Sequence, residues 1–313
     1  MKSVLKSQNR KIVTLGRVLA ILLFVAVLAG TWDAWWHGAI GRDSFWEPPH
    51  ILLYSSILLA VILGIYGYLQ TKEKRWRTLA LVLVLIPVSG PFDELWHRMF
   101  GVEDLSSPFI VWSPPHLAII FSIMASMILL LPILRRDSRD MQVLLGSMIF
   151  AAMLNLILFL FAPLQPEGPW HLLGFFGSFF IVASIVGIFL MAQQWIPQRG
   201  AAILTTVFFL SIAAIGFNEK MAEGVTILPH DHPPAFLTVS AILLTATIVS
   251  VLKTPGKSAL AGFVWTGIIY GFSWIFFKPE FKYGFSEGLI AIISGIAGAI
   301  LIGILFEKWR SKQ

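Results

Sequence analysis

Long apolar stretches recur along the whole chain and are separated by short polar segments. Ten of them approach the length of about 20 residues that a helix needs to cross the hydrocarbon core of a bilayer. They span residues 12–32, 50–69, 76–92, 116–134, 141–162, 171–193, 201–217, 234–252, 258–277 and 286–306. The period-two alternation of a membrane β-barrel is absent, and lipid leaves backbone groups no partner outside a helix or closed barrel. The pattern therefore predicts an all-α polytopic membrane protein.

The ten predicted helices group into five helical hairpins, each closed by an outer connection and linked to the next by a short basic inner loop. Residues 1–135 form two hairpins with candidate metal ligands. Residues 136–313 form a further six transmembrane helices, which resemble degenerate repeats of the first two hairpins. Candidate ligands are densest in the outer turns of the first two hairpins.

The composition agrees with a membrane protein. Hydrophobic residues make up 57% of the chain, the mean hydropathy is +0.80, and charged residues make up 13%, about half the usual share of a soluble domain. The chain has no cysteine, which excludes disulfides and thiolate ligands. The net charge of +6 is typical of cytoplasmic anchoring at a lipid surface, so we expect membrane lipid as a partner and no nucleic acid.

Charge placement predicts the topology. The connections at 1–17, 70–78, 135–140, 193–200, 253–257 and 307–313 hold 18 of the 23 Lys and Arg residues and only 4 of the 17 Asp and Glu residues. By the positive-inside rule these connections are cytoplasmic, so both termini lie inside and all seven histidines lie towards the outer face. The basic start of the chain also resembles a signal peptide, but we expect the first helix to be retained because cleavage would remove it from the first hairpin.

Two short segments of the chain nearly repeat each other. The first contains Asp33, His37 and His50, and the second contains Asp93, His97 and His116. In each, a carboxylate and an imidazole are four residues apart, one turn along the same helix face, and a second imidazole follows a Pro pair that favours a helix start. Asp and His are common ligands of copper, zinc and iron. The spacing predicts one metal site in each of the first two hairpins.

Within this region the chain resembles the C subunit of copper membrane monooxygenases, the family of particulate methane and ammonia monooxygenases. The resemblance covers residues 32–120. The first shared motif comprises Asp33, Trp36, His37, Ile40, Arg42, Asp43, Pro48, His50 and Ile51, and the second comprises Phe92, Asp93, Glu94, His97, Glu103, Asp104, Leu105, Pro114 and His116. The family has asparagine in place of Asp93 and a shorter intervening loop.

The resemblance implies a copper-bearing membrane subunit whose first site is formed by Asp33, His37 and His50. The family oxidises small, inert substrates with O2 and two electrons, as a complex with another membrane subunit and a cupredoxin-bearing subunit. This chain has no cupredoxin domain, so the resemblance implies partner subunits of that type. The departure at Asp93 leaves the metal of the second site open between copper and another divalent ion.

Two other functions compete with a monooxygenase subunit. A copper-handling membrane protein, for transport or copper insertion, would use the same ligands without turnover, although a transporter favours polar groups near the bilayer centre, where Asn155 is the main candidate. A bis-histidine haem protein would need imidazoles facing each other across the bundle. The pairing of each imidazole with an Asp favours a small metal ion. We expect His171, His230 and His232 to be ordinary outer-loop residues.

Overall fold

The computed structural model describes residues 2–40, 46–100, 111–161, 171–196, 200–222, 235–252, 256–272 and 284–312. Within these ranges it describes side chains except at residues 2–10, 34–35, 37–39, 171–176, 212–222, 235–239 and 272. The described residues are all-helical and contain no strand. The predicted fold class is thereby confirmed at this level.

The described residues form ten α-helices, the ninth of which continues as a π-helix over Gly267–Phe272. Their bounds are α1 Lys2–Ala39, α2 Pro48–Thr71, α3 Lys74–Phe100, α4 Pro114–Leu134, α5 Arg139–Leu160, α6 His171–Trp195, α7 Ala201–Ala222, α8 Ala235–Val251, α9 Lys257–Thr266 and α10 Phe285–Arg310.

Seven helices in the described part of the chain are long and apolar enough to cross a membrane. The corresponding segments are Lys11–Asp33, Pro48–Thr71, Lys74–Phe100, Pro114–Leu134, Arg139–Leu160, Gly177–Trp195 and Phe285–Arg310. The other three predicted spans coincide with α7, α8 and α9, whose described apolar segments are shorter. Helix α3 extends beyond the predicted end at residue 92, although Pro87 and Pro91 lie within it. Its extra turns carry the candidate ligands Asp93 and His97.

The chain divides into two compact units, one comprising the described residues up to Leu156 and the other those from Ile157. In the first unit α2 packs against α1 and α3, and α4 packs against α3 and α1. Trp76 of α3 is fully buried, and its ring lies where a side chain at Gly67 of α2 would have to be. This close approach fixes α2 against α3.

One polar contact inside the first unit joins two helices that are distant in the sequence. Asn155 of α5, the candidate polar group near the bilayer centre, donates a hydrogen bond to Thr31 Oγ1 of α1 at 2.7 Å. Thr31 in turn donates to the carbonyl of Val27 at 3.0 Å. A half-buried amide with such a partner avoids the cost of an unsatisfied polar group in lipid.

In the second unit α10 packs along α6 and α9. Glycines of α10 allow close approach to both of these helices. A side chain at Gly295 would overlap Thr266 of α9, and one at Gly298 would overlap the backbone of Phe179 in α6. Small residues allow such backbone contact between membrane helices.

Candidate metal centre

The second site lies where the end of α3 meets the start of α4. Asp93 and His97 are one turn apart on α3, and His116 is in the first turn of α4. His97 Nε2 lies 3.5 Å from Asp93 Oδ2, and His116 Nε2 lies 3.2 Å from Asp93 Oδ1. The two imidazole rings contact each other edge-on, with centroids 5.1 Å apart. The structure thus brings together all three residues that the sequence predicts for this site.

The local sequence explains why His116 faces the end of α3. Ser113 is the N-cap of α4, and its Oγ accepts a hydrogen bond from the backbone N–H of His116 at 3.2 Å. Pro114 and Pro115 follow at the first helical positions, where proline is favoured because no intrahelical donor is lost. The cap and the Pro pair fix the first turn of α4 and therefore the backbone position of His116.

The separations in the second site fit a bound metal ion. Bonds of about 2.0–2.2 Å to nitrogen and oxygen ligands separate neighbouring ligand atoms by about 3–3.5 Å. The measured distances of 3.2 and 3.5 Å fall in this range. Asp93 Oδ1 is buried and faces the imidazole of His116. A cation bound between them would offset the cost of burying the carboxylate charge.

The first site has the same construction between α1 and α2. Asp33 lies near the end of α1, and His50 lies in the first turn of α2 after Pro48 and Pro49. His50 Nε2 is 3.1 Å from Asp33 Oδ1. His37 follows Asp33 by one turn on α1, but its side chain lies outside the described part of the structure. The predicted pairing of Asp33 with His50 is therefore observed, while the role of His37 stays a prediction.

A third ligand candidate in the first site was missed by sequence reasoning. One carboxylate oxygen of Glu47, together with one ligand atom each from Asp33 and His50, forms a group whose atoms all lie within 4.8 Å of one another. Glu47 is only 6% exposed. The signal in the sequence was its position directly before the Pro pair, where the second repeat has Ser113.

Both sites gain electrostatic support from the helix that follows. The start of a helix carries a partial positive charge and favours nearby anions. Asp33 lies against the first turn of α2 through His50, and Asp93 lies against the first turn of α4 through His116. Glu94 instead lies against Arg98, with Oε1 2.9 Å from Nε, and the Arg98 side chain is exposed while that of Glu94 is partly exposed. This pairing suits a surface carboxylate.

Other predicted residues are distributed as follows. Seven of them lie outside the described residues, namely Arg42, Asp43, Glu103, Asp104, Leu105, His230 and His232. His171 begins α6, and its side chain is not among those described. Trp46, four residues before His50, is 75% exposed. That exposure suits an interfacial aromatic belt, where aromatic rings face the lipid interface.

The candidate ligand atoms of the two sites limit which metal ions they could bind. One carboxylate with two imidazoles, or two carboxylates with an imidazole, suits copper, zinc or iron rather than calcium or magnesium, which favour oxygen ligands alone. A metal held in this way supplies a Lewis acid or a redox centre. Comparison of the chain with known protein families, with curated proteins and with solved structures finds no match.

Proposed function

We propose that this chain is a copper-binding integral membrane subunit of a copper-dependent, monooxygenase-like complex that oxidises a small substrate with O2. The observation that carries the proposal is the matched pair of carboxylate–imidazole sites, each built where one apolar helix ends and the next begins. Copper lies at the top of the divalent affinity order for nitrogen and oxygen ligands. The second site would hold copper or another divalent ion.

An apolar groove beside the second site supports a small, apolar or gaseous substrate. It has a volume of about 490 Å³ and lies between α3 and α4. Trp96 and Pro115, which adjoin the ligands His97 and His116 in sequence, line it together with Phe92 and Met99. Phe92 and Met99 are more than half exposed. Such a groove favours molecules that partition into lipid and brings them next to the ligands without crossing water.

We further propose ten transmembrane helices in five hairpins, with both termini cytoplasmic and the metal sites towards the outer face. Contacts in the first unit support this arrangement. Arg136 is in the inner connection 135–140, and its Nη1 atom lies 3.8 Å from Oε1 of Glu73 in the inner connection 70–78. Arg17, near the start of the first span, pairs with Asp137 of the same connection. The candidate ligands on α1 and α3 instead lie near the C-terminal ends of these helices.

Oxygenation also needs electrons, and the sequence has no flavin, haem or cupredoxin motif that would deliver them. We therefore expect a second membrane subunit and a cupredoxin-like subunit as partners, and an isolated chain that does not consume O2. In such a complex this chain holds the metals, and its apolar surface admits the substrate.

The experiment is purification from the native membrane in mild detergent, followed by elemental analysis, EPR spectroscopy and identification of co-purifying chains. We expect copper in the wild type, its loss from one site in His37→Ala or His50→Ala, and loss of metal from the other site in His116→Ala. His171→Ala is the control and should retain all metal. Unchanged metal content in all the variants contradicts the proposal. A copper-loaded chain that is always alone, and inactive with every reductant, favours copper handling.

A further inference from the structure

The short segments that lead to the second imidazole of each site differ at one position, three residues before that imidazole. The segments Trp46 to His50 and Trp112 to His116 agree at every position except that Glu47 stands where the second repeat has Ser113. Both residues are N-caps with nearly the same extended backbone, φ −67° and ψ 148° for Glu47 and φ −59° and ψ 144° for Ser113. The difference between the repeats is therefore in the side chain and what it contacts.

The two side chains do different things from this shared position. Ser113 Oγ caps α4 by accepting the His116 backbone N–H. Glu47 forms no side-chain cap on α2. Its carboxylate is instead buried, with one oxygen within 4.8 Å of the ligand atoms of Asp33 and His50. Helix α2 therefore lacks a stabilising side-chain cap, and a bound cation would offset that loss.

We propose that Glu47 is a metal ligand of the first site and makes that site selective for divalent ions. The inference rests on the proposed metal site at Asp33 and His50. Two carboxylates neutralise a divalent cation, so the buried site would carry no net charge when loaded. The second site has one carboxylate and two neutral imidazoles, and this set neutralises only a monovalent ion.

The metal preferences of the ligand types also predict that the first site favours divalent ions more than the second site does. Carboxylates favour harder divalent ions such as Mn²⁺, and imidazoles favour softer ones such as copper. The first site therefore binds Mn²⁺ or Zn²⁺ more tightly, relative to Cu⁺, than the second site does. The repeated hairpin holds two different metal environments, and the residue before the Pro pair sets the difference.

The test is titration of the purified full chain in detergent with Zn²⁺ and Mn²⁺, followed by calorimetry and by elemental analysis after desalting. Site-specific values come from a background in which the second site is removed by His116→Ala. In that background we expect Glu47→Gln to weaken Zn²⁺ and Mn²⁺ binding by at least about tenfold, as loss of a direct ligand should. Glu47→Ser introduces the capping residue of the second repeat, so α2 should fold normally while binding is equally weak.

The matched control is Glu94→Gln, which removes a nearby carboxylate that pairs with Arg98 and should leave binding unchanged. Normal binding in both Glu47→Gln and Glu47→Ser, with loss in Asp33→Asn and His50→Ala, overturns the role of Glu47 and leaves the metal site standing. If wild type and His50→Ala alike bind no metal, the site itself is absent, and the inference falls with it.

Discussion

The ring of Tyr54 lies edge-on to the imidazole of His50, with centroids 5.9 Å apart and an interplanar angle of 61°. Tyr54 is one turn further along α2. On its other side it packs on α3, where a Cβ atom at Gly90 would lie 3.3 Å from its Cε1 atom. Gly90 precedes Asp93 of the second site by three residues. Tyr54 thus packs α2, which carries the candidate ligand His50, against α3, which carries the candidate ligand Asp93.

This contact predicts that Tyr54 positions His50. An edge-on aromatic pair contributes about 0.5–1.5 kcal/mol beyond area burial. Tyr54→Leu should therefore weaken metal binding at the first site by about 2- to 10-fold. Tyr54→Phe keeps the ring and serves as the control. Zn²⁺ affinity in the His116→Ala background is the measurement, and equal affinity in the Leu and Phe variants would contradict a positioning role.

The second site should depend on the charge of Asp93. Asp93→Asn keeps the size of the side chain but removes the negative charge that faces His97 and His116. We expect divalent affinity at this site to fall by at least about tenfold while the metal-free unfolding temperature stays nearly the same. Elemental analysis and thermal unfolding measure the two effects. Metal loading that is insensitive to both Asp93→Asn and His116→Ala would show that no metal binds there.

An ion pair at the proposed cytoplasmic end predicts a pH dependence of stability. Burial disfavours ionisation of Asp137, but hydrogen bonds from Arg17 and from the backbone N–H of Ser138 outweigh it and lower the pKa of the carboxyl. A carboxyl whose pKa is lower in the folded state stabilises the protein above its unfolded-state pKa of about 3.9. That contribution is lost as the pH falls through the lowered value.

Asp137→Asn should therefore lower the unfolding temperature at pH 7 by about 2–4 °C. The difference between this variant and the wild type should shrink as the pH falls below about 4. Thermal unfolding in detergent at several pH values is the measurement, with Asp140→Asn on the neighbouring helix start as the control. A difference that is the same at pH 7 and pH 3 would mean that the pair does not act through ionisation.

Close packing of α10 on α6 predicts strong sensitivity at Gly298. A methyl group there would overlap the backbone carbonyl of Phe179, which cannot move as a side chain tip can. Gly298→Ala should destabilise the second unit by about 1–3 kcal/mol, the usual cost of overpacking. Gly30→Ala is the control, because a Cβ atom there meets nothing within 4 Å. Equal unfolding temperatures for the two variants would argue against this packing.

The proposed topology is testable with single cysteines, because the native chain has none. Lys74 begins α3 and Ser286 lies at the start of α10, and both are exposed. We expect Ser286→Cys to react with an impermeant thiol reagent from outside intact cells, and Lys74→Cys to react only after the membrane is opened. Labelling of Lys74→Cys from outside intact cells would contradict the proposed orientation.

Sequence alone predicted the all-helical class, the places of the seven long apolar helices, and the pairing of Asp93 with His97 and His116. These features follow from local rules. Apolar length sets a span, an i, i+4 spacing puts two ligands on one helix face, and a Pro pair marks a helix start. The pairing of Asp33 with His50 followed in the same way.

Tertiary structure decided what these rules leave open. The sequence does not mark Glu47 as a ligand, and only the meeting of α1 with α2 shows one of its carboxylate oxygens near Asp33 and His50. The partner of Asn155 is Thr31, which is 124 residues away in the chain. The contact of Tyr54 with His50 follows one helix, but its contact with Gly90 depends on α3. Local sequence determines where a helix begins and which face carries ligands, whereas contacts between helices depend on the packing of distant side chains.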